Sequence, residues 1–245
     1  MPLCCYSESL IGGRSENQDF ALSFELGQDV FAVLCDGMGG YADGGWAAAT
    51  FAQSVKEVVT RHIPEEEVSP EQAMTDWLQR AWLLFCDKHQ LQRRHRQAQT
   101  TFVLAWLARD FTLVAHAGDS RCYGLRPDAV LWCTQDHNLY ELGVMNGDID
   151  PRHTPKAQGQ HALLYRSVGR NKPLKPTLTL HPALCPGQAL TLCSDGLWSQ
   201  VRDPEWLALV AAEDAAGSLQ ALLRTAVQRG GARADNATAL LVRFE

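Results

Sequence analysis

The chain has 245 residues and a formal net charge of −6, enough for one large domain or two small ones with a sizeable core. Hydrophobic residues make up 46% and charged residues 20%, which excludes a disordered polymer, and the acidic balance argues against nucleic acid as the main partner. No apolar run is long enough to span a bilayer, no basic-then-apolar leader opens the chain, and none of the 8 cysteines forms a C-x-x-C pair, so zinc-ribbon and thioredoxin readings fail and a reduced, cytoplasmic protein is expected.

Three strand-like runs come first, "LCCYSESL", "FALSFEL" and "DVFAVLCD". Two helical segments follow. In "WAAATFAQSVKEVVTRH", Phe51, Val55 and Val58 recur at helical spacing, as Met74, Leu78, Ala81 and Phe85 do in "EQAMTDWLQRAWLLFCDKH". Pro64 and the acidic run Glu65–Glu67 separate them. The basic run from Arg93 reads as the solvated end of the second helix, where cations suit the helix dipole. A second set of strands is expected at "TTFVLAWLA", "FTLVAHAG", "SRCYGLR" and "AVLWC". From about Gln135 to Gly159 no clean periodicity appears, and Gly143, Gly147, Pro151 and Pro155 mark a loop or flap. Strands return in "KPTLTLH" and "QALTLCSD". Asp203 then reads as a helix N-cap with Pro204 at the first helical position, and Ser218 as the cap of a last helix that stops at Gly230. "NATALLVRF" closes the chain as a strand. Blocks of strands beside blocks of helices predict an α+β fold with antiparallel sheets.

Several apolar runs end on a carboxylate. "FAVLCD" ends at Asp36, "TLVAHAGD" at Asp119 and "ALTLCSD" at Asp195; Asp235 precedes the last strand and Asp19 lies between two early ones. A single Asp-Gly pair is a common turn signal. If these strands share sheets, however, the acids gather at one edge and cannot all stay ionised without a counter-charge. No lysine lies near Asp36, Asp119 or Asp195 in sequence. A hard divalent cation would balance them, and all-oxygen ligation suits Mg²⁺ or Mn²⁺ rather than zinc. Gly37 could add a backbone carbonyl, since no side chain blocks approach.

The stretches "GGRSENQD", "DGMGG", "TTFVLAWL", "HAGDSRCYGL", "TQDH", "LCSDGLW" and "ADNATALLV" occur in this order across almost the whole chain. With them the chain resembles the metal-dependent protein Ser/Thr phosphatases of the protein phosphatase 2C (PPM) type, in their bacterial form. The resemblance implies one catalytic domain over residues 1–245 with a flap at about 135–160. It implies a four-layer αββα sandwich, two central antiparallel sheets with antiparallel helices on both outer faces. It also implies two Mn²⁺ or Mg²⁺ ions and hydrolysis by a water between them, without a phosphoenzyme. Asp36 would bridge both ions, Gly37 would give its carbonyl to one, and Asp195 and Asp235 would bind the other. Asp19 would join directly or through water. Asp119 matches a position associated with a third, weaker ion, and reads equally as a turn that positions Ser120 and Arg121. Arg14, five residues before Asp19, matches the phosphate-binding arginine, whose planar guanidinium can hold two phosphate oxygens.

The chain departs from that pattern at Met38, where some relatives carry a proton-donating His, and at Tyr41, Gly45, Gln99 and Asn138. His137, His153 and His161 receive no role. The expected partners are phosphorylated proteins, targets of a cognate bacterial Ser/Thr kinase that include type VI secretion components, with no nucleic acid or membrane and a monomeric enzyme. No Cys has an Arg six positions on, no G-x-S-x-G occurs and no P-loop occurs. An aspartyl-phosphate mechanism at Asp36 would want a parallel sheet, which the strand order does not suggest. The alternative from another class is a catalytically dead phosphatase-like module that binds phosphoproteins.

Overall fold

Strand β3, Asp29–Met38, shows how the layers arise. Successive side chains of a strand point to opposite faces. Val30, Ala32 and Leu34 enter one apolar cluster with Val103, Leu190 and Leu240, whereas Phe31, Val33 and Cys35 enter another with Phe51, Leu78 and Phe85. A strand apolar on both faces must be covered on both. In the computed structural model, which describes residues 3–38, 43–64, 67–91, 97–152 and 163–244, a second sheet covers one face and helices cover the other.

The five-stranded sheet runs β1 (Leu3–Leu10), β12 (Ala237–Phe244), β11 (Ala189–Cys193), β7 (Arg121–Arg126), β8 (Ala129–Cys133). The seven-stranded sheet runs β10 (Thr177–Pro182), β6 (Phe111–Ala117), β5 (Phe102–Leu107), β3, β4 (Gln99–Thr100), β9 (Val168–Gly169), with β2 (Asp19–Leu26) also paired to β3. Every pairing between these strands is antiparallel. Helices α1 (Asp43–Arg61) and α2 (Pro70–Leu91) cover the seven-stranded sheet, with Phe31 stacked on Phe24 and Trp106 at centroid distances of 5.1 and 5.6 Å. Helices α5 (Asp203–Ala211) and α6 (Ala215–Gly230) cover the five-stranded sheet through Trp206, Leu219 and Leu223. The result is the expected four-layer α+β sandwich. Among the described residues no helix is long and apolar enough to cross a membrane, and all eight cysteines are free thiols.

Several local expectations need correction. "TTFVLAWLA" is not one strand: it breaks at Thr101 between β4 and β5, because Thr101 turns its hydroxyl to Asp36, as set out below. The supposed loop after Gln135 contains helix α3, Leu139–Asn146. Asn138 caps it by accepting from the Glu141 amide at 2.9 Å, and Gly147 ends it in the left-handed region at φ 79°. The N-cap of α5 is Arg202, with Asp203 as the first helical residue. Asp214, not Ser218, caps α6, its side chain accepting from the Gly217 amide; an acid ahead of the helix outcompeted a serine inside it. The basic run from Arg93, Glu65 and Glu66, Tyr41, His153, Pro155, Gly159 and His161 lie outside the described residues.

Candidate metal centre

Strand parity places the acids. Asp36 shares a face with Val30, Ala32 and Leu34, and Asp19 shares one with Ala21, so both point between the sheets. β2 and β3 pair in the register that sets Asp19 opposite Asp36. On the facing sheet, Leu190 and Leu192 put Ser194 on the inward face, and Leu240 and Val242 do the same for Thr238. β11 stops at Cys193, and Asp195 opens the short helix α4, Asp195–Trp198. Asp235 lies two residues before β12. Ser194 joins the sheets: its Oγ donates to Asp19 Oδ2 at 2.7 Å and accepts from the Thr238 amide at 3.0 Å.

The backbone around Asp36 is held from several sides. Its amide donates to Thr101 Oγ1 at 3.1 Å, and its carbonyl accepts from the Thr101 amide at 2.8 Å and Thr100 Oγ1 at 2.9 Å. Thr101 and Ser120 hydroxyls meet at 2.6 Å, which ties the Asp36 strand to the Asp119 turn. Gly37 and Gly44 bring strand and helix backbones together: a Cβ on Gly37 would overlap the Gly44 carbonyl. Asn236 fastens the loop that carries Arg14. Its Oδ1 accepts from the Gln18 amide at 2.8 Å, and its Nδ2 donates to the Ile11 and Glu16 carbonyls at 2.9 and 3.0 Å.

The structure therefore brings Asp36, Gly37, Asp119, Asp195, Asp235 and Arg14 to one cleft of about 450 Å³. Asp19 stands behind Asp36, off the cleft wall. The acids are half-buried by exposure, yet protein and each other's charge surround them. Burial, then Asp19 and Asp195, push Asp36 well above the usual carboxylate range. Burial raises Asp19 to about 7, against the hydrogen bond from Ser194. Burial and then Asp235 raise Asp195 to about 6. Burial and then Asp195 raise Asp119 to about 7. Among the described residues no lysine lines the cleft and Arg14 is the one lining cation, its Nη2 2.6 Å from Asp235 Oδ2, with both side chains partly exposed.

Do these residues fit a hard divalent ion? Among the described residues Asp19 Oδ1 is buried without a hydrogen-bond partner, an oxygen that calls for a cation or donor. The donors are all oxygens, and the raised carboxyls mark missing positive charge. Among the described residues no three of these side chains already converge on one point at liganding distance, although Asp36 and Asp195 stand close enough to perturb each other's charge. Binding an ion would draw them toward it. The donor set fits.

Sequence reading missed Ser194, Thr101, Ser120 and Asn236 as supports. Ser194 was legible in principle, since it continues the Leu190–Leu192 alternation; Asn236 stands inside the block "ADNATALLV", which was read only for Asp235. It also missed a second buried charge cluster. Arg121 binds Asp136 through two bonds of 2.7 and 2.8 Å and lies 3.5 Å over the Trp198 ring, whose Nε1 donates to the Asp119 carbonyl at 2.8 Å. His137 is structural: Nδ1 accepts from the Gly118 amide at 3.2 Å, its ring stacks on His116 at 4.4 Å, and burial lowers it to about 3. Two departures have local uses: Asn138 caps α3, and Gln99 Oε1 accepts from Ser167 Oγ at 2.8 Å.

Acidic oxygens facing each other between two sheets, with an exposed arginine at the mouth, define a metal-dependent hydrolase site suited to an anionic substrate. The model of the family "Protein phosphatase 2C" matches residues 8–240, and the chain belongs to that family. The serine/threonine protein phosphatase PstP of Mycobacterium tuberculosis is 28% identical over 93% of this chain and 42% of its own length, so the chain spans less than half of that relative. A structure of the PstP catalytic domain in complex with 2 manganese ions superposes with TM-score 0.77 at 25% identity, covering 98% of this chain and 97% of that one. The S. agalactiae serine/threonine phosphatase gives TM-score 0.83 at 27% identity over 99% and 100% of the two chains. PppA, a regulatory component of T6SS in Pseudomonas aeruginosa, gives 0.75 at 26% over 99% and 98%.

Proposed function

We propose that this chain is a Mn²⁺- or Mg²⁺-dependent protein serine/threonine phosphatase that opposes a bacterial Ser/Thr kinase in the cytoplasm. The observation that carries the reading is the uncompensated set Asp19, Asp36 and Asp195 between the sheets. In this reading Asp36, the Gly37 carbonyl, Asp195 and Asp235 would hold the ions. Asp19 completes the set directly or through water, and Asp119 offers a third, weaker position. When bound, such ions lower the pKa of water into the neutral range and neutralise phosphate charge.

The chain's own groups do the rest. Arg14 at the mouth would hold phosphate oxygens in place of its present pairing with Asp235. Asp36 and Asp195 orient the attacking water in line with the leaving Ser or Thr oxygen. Among the described residues no cysteine or histidine lines the cleft, in keeping with direct hydrolysis rather than a thiol or imidazole intermediate. The segment around α3 and beyond borders the cleft through Leu164, in keeping with a flap. PppA, a regulatory component of T6SS, supports a regulatory role of the same kind for this chain.

The test is hydrolysis of phospho-Thr, phospho-Ser and phospho-Tyr peptides side by side with Mn²⁺, with and without chelator. Chelator-sensitive release from the first two is expected. Tight phosphopeptide binding with no release at any metal concentration would favour the catalytically dead module instead.

A further inference from the structure

Met38 lines two hollows. One is the cleft with the acids; the other, of about 430 Å³, is formed with Gln99, Gly169, Arg170, Asn171 and Lys172. The second differs in sign. Among the described residues no Asp or Glu lines it and two cations do, in a chain whose net charge is −6. Arg170 and Lys172 are exposed, and neither has a carboxylate partner among the described contacts.

The hollow is built on regular structure. Met38 pairs with Gln99 and Gln99 with Gly169. Gly169 bridges back to Lys172, which closes a tight turn with Arg170 and Asn171 at its tip. Trp82 Nε1 donates to the Gly169 carbonyl at 3.1 Å and Ser167 holds Gln99, so the turn is fastened from both sides. Gln99, which departs from the family pattern, thus forms part of the hollow's floor.

The ladder also sets a ruler. Two strand spacings separate Met38 from Gly169, about 10 Å, and two residues along β3 separate Asp36 from Met38, about 7 Å. The diagonal is about 12 Å, the reach of three or four residues of an extended peptide. We propose that this hollow receives an acidic side chain of the phosphoprotein substrate, three or four residues from the phosphorylated Ser or Thr; the proposal rests on the phosphatase reading above. Arg170 and Lys172 supply the recognition, and because they are exposed their contribution is modest and salt-sensitive.

The experiment uses the full chain with Mn²⁺ on phosphothreonine peptides carrying Glu or Gln at the third and fourth positions on either side, with p-nitrophenyl phosphate as a substrate too small to reach the hollow. The Glu peptides should give a kcat/KM about three- to tenfold higher, a preference that shrinks at high salt and vanishes when Glu is moved to the eighth position. The double variant R170E/K172E should lose or reverse the preference while p-nitrophenyl phosphate turnover stays unchanged. Equal kcat/KM for Glu and Gln peptides from a protein active on p-nitrophenyl phosphate would overturn the proposal alone. A wild-type protein inert toward p-nitrophenyl phosphate and peptides would overturn the phosphatase reading, and this proposal with it.

Discussion

Two sets of acids sit near the same end of the molecule and are treated in opposite ways. Asp136, whose side chain is 2% exposed, is met by Arg121 through two short bonds. Asp19, Asp36 and Asp195 are met mainly by one another and by hydroxyl or amide donors, and all three are pushed upward. An arginine is within the chain's means, as the first pair shows. Where the fold needs a fixed structural joint, an arginine closes it; where a cation is to come from outside, the carboxylates stay unbalanced. The contrast teaches that a missing internal counter-charge carries as much functional information as any motif.

The sharpest break in the contrast is Asp36→Asn. Removing one acid from the unbalanced set should cut metal-dependent phosphatase turnover about 10³-fold, at the upper end for loss of one electrostatic group. The same variant should melt higher than wild type in chelator, since a neutral amide replaces a carboxyl that resists ionisation there. Full activity would remove Asp36 from the site. Arg121→Leu tests the other side. It strands Asp136 as a buried charge and should cost about 3 kcal/mol in urea unfolding. The double variant R121L/D136L should recover most of that loss. If Arg121→Leu alone is neutral, the pair is not a structural joint.

Protonation gives an intermediate effect. The raised acids hold protons more tightly folded than unfolded, so they stabilise the metal-free chain below about pH 4. That contribution is lost as pH rises through about 6 for Asp195 and about 7 for Asp19 and Asp119. In chelator, stability should therefore fall between pH 5 and 8 by on the order of 2 kcal/mol. Saturating Mn²⁺ should flatten the profile. A flat profile in chelator would mean the set is already balanced.

How much of this was legible in the sequence follows the same division. Single strands were plain: "LCCYSESL" is β1 to the residue, and "DVFAVLCD" ends on Asp36 as read, its alternation, which sets Asp36 with Leu34, standing there unused. The motif likeness carried the acids to one cleft. Partners distant in sequence were not legible. Nothing near Asp36 announces Thr101, 65 residues on, whose hydroxyl breaks a run that reads as one strand. Arg121 and Asp136 sit in recognisable blocks, yet their pairing depends on where β8 returns. Asn138 with Glu141, followed by Gly147, was a readable helix signature. The glycines and prolines of that segment outweighed it.

Trp198 joins the two regions, and its substitution has the smallest expected effect. Its ring lies under Arg121, and its indole N–H holds the Asp119 carbonyl at the edge of the unbalanced cleft. Trp198→Phe keeps a ring beneath the guanidinium but removes the donor. One hydrogen bond is worth about 1 kcal/mol, so stability should drop by about that much, well short of the Arg121→Leu loss. The informative readout is the Mn²⁺ concentration for half-maximal activity. If the Asp119 turn needs this anchor to present its carboxylate, that concentration should rise several-fold while kcat at saturating Mn²⁺ holds. An unchanged Mn²⁺ requirement would confine Trp198 to the structural joint and leave Asp119 as a turn that positions Ser120 and Arg121.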